Sequence, residues 1–123
     1  MIRVFIVAAS PLARAGLENL LAAREVEIAG SEATIENLAE RLPDAVPDVV
    51  LIDSSGEGLG PMLEAILASG IASEASIVLL GNDVTPEASA EALRAGIRAA
   101  LAGDISPEQL VAALQAVARA FLI

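Results

Sequence analysis

Short apolar runs alternate along the whole chain with longer stretches in which apolar residues recur every three or four positions. The runs Ile2 to Val7, Val26 to Ala29, Val49 to Ile52, Ile77 to Leu80 and Ile97 to Ala102 predict strands. The third and fourth are almost continuous in apolar residues, which is the pattern of strands buried on both faces. Helical spacing predicts helices over Pro11 to Arg24, Thr34 to Leu42, Gly60 to Ser69, Pro86 to Ala95 and Pro107 to Phe121. Ser10-Pro11, Thr85-Pro86 and Ser106-Pro107 each set a capping hydroxyl before a proline at the first helical position. Gly30, Gly70 and Gly96 read as punctuation at element ends. Strand and helix in strict alternation imply right-handed crossovers and a parallel sheet covered on both sides, a three-layer α/β fold.

Composition narrows the classes. At 123 residues the chain is one domain in size, long enough to bury about two-thirds of the surface that its unfolded form exposes. It has no cysteine and no histidine, so disulfides and thiolate or imidazole metal sites are excluded, and a cytoplasmic setting is expected. No apolar run approaches the roughly 20 residues that cross a bilayer. A net charge of -10, with seven scattered arginines and no lysine, argues against nucleic-acid binding by this domain itself.

Several segments carry a family pattern in order and at matching spacing. They are Ile2-Arg3-Val4-Phe5-Ile6-Val7, Pro11-Leu12, Arg14-Ala15-Gly16-Leu17, Pro47-Asp48-Val49-Val50-Leu51-Ile52-Asp53, Ala92-Leu93-Arg94-Ala95-Gly96 and Asp104-Ile105-Ser106-Pro107-Glu108-Gln109-Leu110. Over essentially its whole length the chain resembles a receiver domain of the bacterial two-component response regulators, nearest to the NarL/FixJ type with a LuxR-like helix-turn-helix output. The resemblance implies a flavodoxin-like, doubly wound five-stranded sheet in the order 2-1-3-4-5.

It also implies a phosphoacceptor at Asp53, at the end of the third strand, served by a magnesium ion on an acidic pair after the first strand. The matching positions are Ala8 and Ala9, and a methyl group ligates no metal. The hydroxyl residue that ends the fourth strand falls at Gly81. The lysine that ends the fifth falls at Gly103, and a chain without lysine offers no substitute. The aromatic switch position reads Ala100, and the proline after the acceptor reads Glu57. Asp53 is then either a phosphoacceptor nucleophile or a vestigial strand-end carboxylate, and the missing partners favour the second. Arg3 and Arg98 stand at the wrong ends of their strands to compensate. Asp83 and Glu57 read as solvated loop acids, and the glycine-rich loop from Asp53 to Gly60 reads as a flexible connection, since Glu57 would repel an anion held there.

The expected protein is an atypical receiver that regulates a DNA-binding output through protein contacts, with no enzyme activity, no cofactor and no metal. Two alternatives stay open: a slow phosphoacceptor using Asp53, and a small-molecule binder using the crevice lined by Ala8, Ala9 and Gly81. The expected partners are an output domain or partner protein, with a sensor histidine kinase as a further candidate, no membrane, and DNA only through a domain beyond this sequence. The apolar ending Phe121-Leu122-Ile123 reads as a truncation before that domain. On the last helix, Leu110, Leu114, Val117 and Phe121 read as the core stripe, widened by Val111, Ala118 and Leu122. The opposite face, with Ala112, Ala116 and Arg119, is small and lightly charged, and predicts a homodimer that adds either the first helix or the fourth helix and fifth strand.

Overall fold

Apolar residues on both sides of a strand bury themselves only if helices cover both faces of the sheet. The computed structural model, which describes residues 1–120, arranges the chain in that way. Strands β1 (Arg3–Ala8), β2 (Glu27–Glu32), β3 (Val49–Asp53), β4 (Ile77–Gly81) and β5 (Ala99–Ala102) form one parallel sheet in the order β2-β1-β3-β4-β5. Helices α1 (Pro11–Ala22), α2 (Leu38–Ala45), α3 (Leu59–Ser69), α4 (Pro86–Arg94) and α5 (Pro107–Arg119) alternate with them. Val4, Ile6 and Ala8 of β1 join Leu51, Leu21 of α1 and Leu114 of α5 in one core layer. Phe5 and Val7 face the other way, into Leu38 of α2, Ile66 of α3 and Ala92 of α4. The flavodoxin-like architecture expected from the sequence is the observed one.

The three Ser/Thr-Pro signals work as read. Ser10 Oγ accepts from the Ala13 amide at 3.2 Å and Thr85 Oγ1 from the Ala88 amide at 3.1 Å. At α5 the cap is reciprocal: Ser106 Oγ accepts from the Gln109 amide at 3.1 Å, and Gln109 Oε1 accepts from the Ser106 amide at 3.0 Å. In that first turn, backbone hydrogen bonding at the helix start holds the Glu108 carboxyl below its ordinary 4.5, and Arg24, just beyond α1, reinforces it from 3.3 Å.

Three features differ from the sequence pattern. The first is α2, which starts at Leu38 instead of Thr34, because Thr34 Oγ1 accepts from the Glu36 amide and the chain turns there before the helix begins. It then runs through Pro43 to end at Val46, whose φ of 45° is the left-handed conformation. Arg3 holds that end in place: its guanidinium donates to the Ala45 carbonyl at 2.6 Å and pairs with Glu27 at 3.0 Å. The second is β5, which starts at Ala99, since the Ile97 amide is used to close α4 on the Ala92 carbonyl at 3.0 Å.

The third difference is Gly30, which lies inside β2 and not at its end. A bulge in the β1–β2 ladder sets it opposite Phe5. A Cβ on Gly30 would meet the Phe5 ring at 2.7 Å and Arg41 at 3.0 Å, while Arg41 itself lies over that ring, 5.3 Å from its centre. The position needs glycine for space. Gly16, on the exposed side of α1, is the opposite case: a Cβ added there would find nothing within 4 Å. Gly30→Ala is therefore expected to cost about 1–3 kcal/mol by overpacking, and Gly16→Ala to add about 0.5–1 kcal/mol by helix propensity. Urea unfolding of the two variants checks both signs.

Candidate functional site

Five parallel strands end at one edge, so the loops after them converge on a single crevice. Asp53 closes β3 there, in register with Ala8 of β1 and Leu80 of β4. Its side chain is half-buried. Oδ1 accepts from the Ser55 amide at 3.0 Å, a short turn of the carboxylate onto its own loop, and Oδ2 has no protein partner among the described residues.

The positions around Asp53 are occupied in ways that single residues do not reveal. Ala8 is fully buried in the layer beneath α1 and α5, whereas Ala9 is exposed. Gly81 is tight: a Cβ there would meet Ser54 Oγ at 2.6 Å. Ser54 is itself fully buried, and its hydroxyl donates to the Leu80 carbonyl at 3.0 Å. The hydroxyl absent from the end of β4 thus has a counterpart one strand away, fixed to the backbone of β4. At Gly103 a Cβ would meet Asn82 Oδ1 at 2.9 Å, so an amide side chain occupies the approach to that position.

Charge at the crevice is also placed differently from a reading of isolated residues. Asp83 is exposed but engaged, since its Oδ2 accepts from the Leu59 amide at 3.2 Å and so caps α3 from a neighbouring loop. Its expected role as a merely solvated acid is corrected by that bond. Arg14, near the start of α1, donates to the Ala8 carbonyl at 2.8 Å and brings a guanidinium to the end of β1. Arg3 and Arg98 sit at the opposite, amino edge of the sheet, where the Arg98 amide bonds to the Ile77 carbonyl. Neither spacing nor residue type marks Ser54, Asn82 and Arg14 as members of this crevice. Their only signal in the sequence is position, directly after a strand end or within about one helical turn of the start of α1.

Beside Asp53 lies a cavity of about 150 Å³ between the end of β1, the loop after β2 and α3. Val7, Ala9, Ile35, Met62 and Ala65 line it, with Asp53 and Glu57. Gly81 and Ala8 do not.

No family model and no curated relative matches the chain. Solved structures do. The signal receiver domain of NarL from Mycobacterium tuberculosis is 22% identical, with a TM-score of 0.76 and 96% of each chain covered. A two-component response regulator of the LuxR family from Aurantimonas sp. SI85-9A1 is 20% identical, with a TM-score of 0.78, covering 98% of this chain and 86% of that one. The fold is that of a response-regulator receiver domain. A CheY-like receiver domain protein from Methanospirillum hungatei JF-1 gives the same picture at 18% identity, with a TM-score of 0.73, 98% of this chain and 95% of that one.

The receiver fold implies a magnesium ion in this crevice, and the residues present do not fit one. Ala8 and Ala9 supply no donor, Asp83 is committed to the α3 amide, and Asp53 offers a single carboxylate. Among the described residues no three acidic side chains come together in a set that holds a metal.

Packing at Gly81 can be tested directly. Gly81→Ala is expected to cost about 1–3 kcal/mol, because a methyl would press on the fixed Ser54 hydroxyl. In a Ser54→Ala background that cost should fall by about 1 kcal/mol or more, so the pair should be clearly non-additive in chemical denaturation. Additive losses would remove the proposed contact.

Proposed function

We propose that this chain is the receiver domain of a NarL/FixJ-type response regulator whose output is set by protein–protein contacts and not by magnesium-dependent phosphorylation of Asp53. The observation that carries this reading is the occupancy of the crevice. Gly81 faces a fixed serine hydroxyl and Gly103 faces Asn82, in a receiver fold without lysine.

Phosphoryl transfer to a carboxylate depends almost entirely on positioned positive charge, because two anions must be brought together. Here Asp53 stands near Glu57, and Arg14, the guanidinium at the end of β1, is bonded to the Ala8 carbonyl. Acidic side chains at the mouth of a crevice also lower the local concentration of anionic phosphodonors. Asp53 is then a vestigial acceptor, and the domain is a binding module with no enzyme activity. The likeness to NarL and to a LuxR-family regulator supports a DNA-binding output as the partner, with a sensor histidine kinase needed only if Asp53 is phosphorylated.

Contacts must then come from the helices. α5 turns Leu110, Val111, Leu114 and Ala118 into the core, with Val117 half-buried, and leaves Ala112, Ala116 and Arg119 exposed. Phe121 and Leu122, expected to continue the core stripe, lie outside the described residues. The exposed side is alanine-rich and permits close approach of a second helix, and a two-fold homodimer is the commonest closed assembly. The segment just after the neighbouring α1 is linked to α5 by the ion pair of Arg24 and Glu108, which puts the first helix beside that side of α5.

Two measurements test this reading. Incubation with acetyl phosphate and magnesium chloride should leave the intact mass unchanged; a gain of one phosphoryl group that is lost in Asp53→Asn would establish the slow acceptor instead. Sedimentation should find a dimer whose dissociation constant rises by at least about tenfold in Ala116→Glu, the effect of burying one unpaired charge at an interface. A monomer at every concentration, or a dimer indifferent to that change, would exclude the α5 face.

A further inference from the structure

We infer that the cavity beside Asp53 is a binding site for a small organic cation, an alkylammonium or alkylguanidinium with a short apolar tail. This goes beyond the reading above, which requires no ligand, and it concerns the domain with Asp53 unphosphorylated.

Three features of the cavity select that chemistry. Its walls are apolar, built from Val7, Ala9, Ile35, Met62 and Ala65. Its ionisable lining is entirely acidic, with Asp53, Glu57 and Glu36 and no arginine among the lining residues. Arg14, the guanidinium at the end of β1, is spent on the Ala8 carbonyl and does not line the space. An anion would meet repulsion, and a neutral apolar molecule would leave the carboxylates unserved.

Asp53 is the anchor. It is half-buried, its Oδ1 is held by the Ser55 amide, and its Oδ2 has no protein partner among the described residues. A carboxylate fixed by one oxygen and free at the other is oriented before a ligand arrives, which reduces the ordering cost of binding. An ammonium on Oδ2 makes a charge-assisted hydrogen bond in surroundings drier than bulk water. Glu36 and Glu57 are exposed and add attraction at the mouth. The size of the ligand follows from the volume: about 150 Å³ holds roughly five waters' worth of space, enough for a tail of a few carbons and too little for a nucleotide. Ala9 lines this space with nothing larger than a methyl group.

The test is an amide NMR titration of the whole chain with n-butylammonium chloride at fixed ionic strength, beside n-butanol, butyrate and magnesium chloride. The ammonium should give saturable shifts clustered at Ala9, Ile35, Asp53 and Met62, at millimolar concentrations suited to so small a ligand. Butanol should bind at least about tenfold more weakly, the difference made by one charge-assisted hydrogen bond, and butyrate should not bind. Asp53→Asn keeps the shape and should lower the ammonium affinity to that of butanol, and Glu57→Gln should lower it less. Shifts that stay linear and spread over the acidic surface, equal binding of butanol, or a response indifferent to Asp53→Asn would each overturn the site. So would saturable shifts at the same amides with magnesium and none with the ammonium, a result that would also count against the metal-free reading. Phosphorylation by acetyl phosphate, by contrast, would overturn that reading alone.

Discussion

Two-sided burial of the central strands is the constraint on which the rest of the molecule depends. Val4 through Ala8 of β1, Val49 through Ile52 of β3 and Ile77 through Leu79 of β4 are at most 1% exposed. Such strands have no solvated face on which polar chemistry can sit. Side chains that could bind or react are pushed off the sheet to the strand ends, and the parallel arrangement gathers those ends at one edge. Everything of functional interest at Asp53 follows from that geometry, including the presence of Ser54, Asn82, Asp83 and Arg14 around one crevice.

What lay open in the sequence was whatever depends on near neighbours. The continuous apolar runs of β3 and β4 and the Ser/Thr-Pro starts of α1, α4 and α5 are local signals, and all appear as read. The start of α2 was hidden because Thr34 and Ile35 satisfy a helical spacing while the Thr34 hydroxyl diverts the backbone into a turn. Gly30 looked like a strand end because glycine usually is one; its need comes from Phe5, a residue on another strand. The same reason explains the crevice. Alanines at 8 and 9 and glycines at 81 and 103 could be named as departures, but not the groups that stand against them. Ser54 against Gly81 and Asp83 on the Leu59 amide join residues far apart in the chain, and no spacing rule reports such contacts.

The two edges of the sheet are held by different means. At the amino edge Arg3 gathers a helix end and an edge strand, bonding Ala45 and Glu27 together, and Asp48 accepts from the Arg3 amide at 2.8 Å. This is a charged clamp on the exposed rim, of modest worth in water. At the carboxyl edge Glu32, the last residue of β2, pairs with Arg41, but around Asp53 the connections are neutral or half-neutral: serine to carbonyl, aspartate to amide, arginine to carbonyl. Among the described residues Asp53, Glu57 and Glu36, which line the cavity, have no ion-pair partner, which makes the potential negative beside an otherwise apolar hollow.

The cap that Asp83 places on α3 has a consequence for motion. The loop after β4 does not simply lie next to the loop after β3; it completes the first turn of the following helix, and the Ser54 amide and hydroxyl both return to the Leu80 carbonyl. Fraying of the first turn of α3 and opening of the β4 loop therefore break the same hydrogen bond, and the two loops are expected to open together. The floor of the crevice is thus a backbone-bonded unit that spans two loops, held together without any residue of the sheet changing its place.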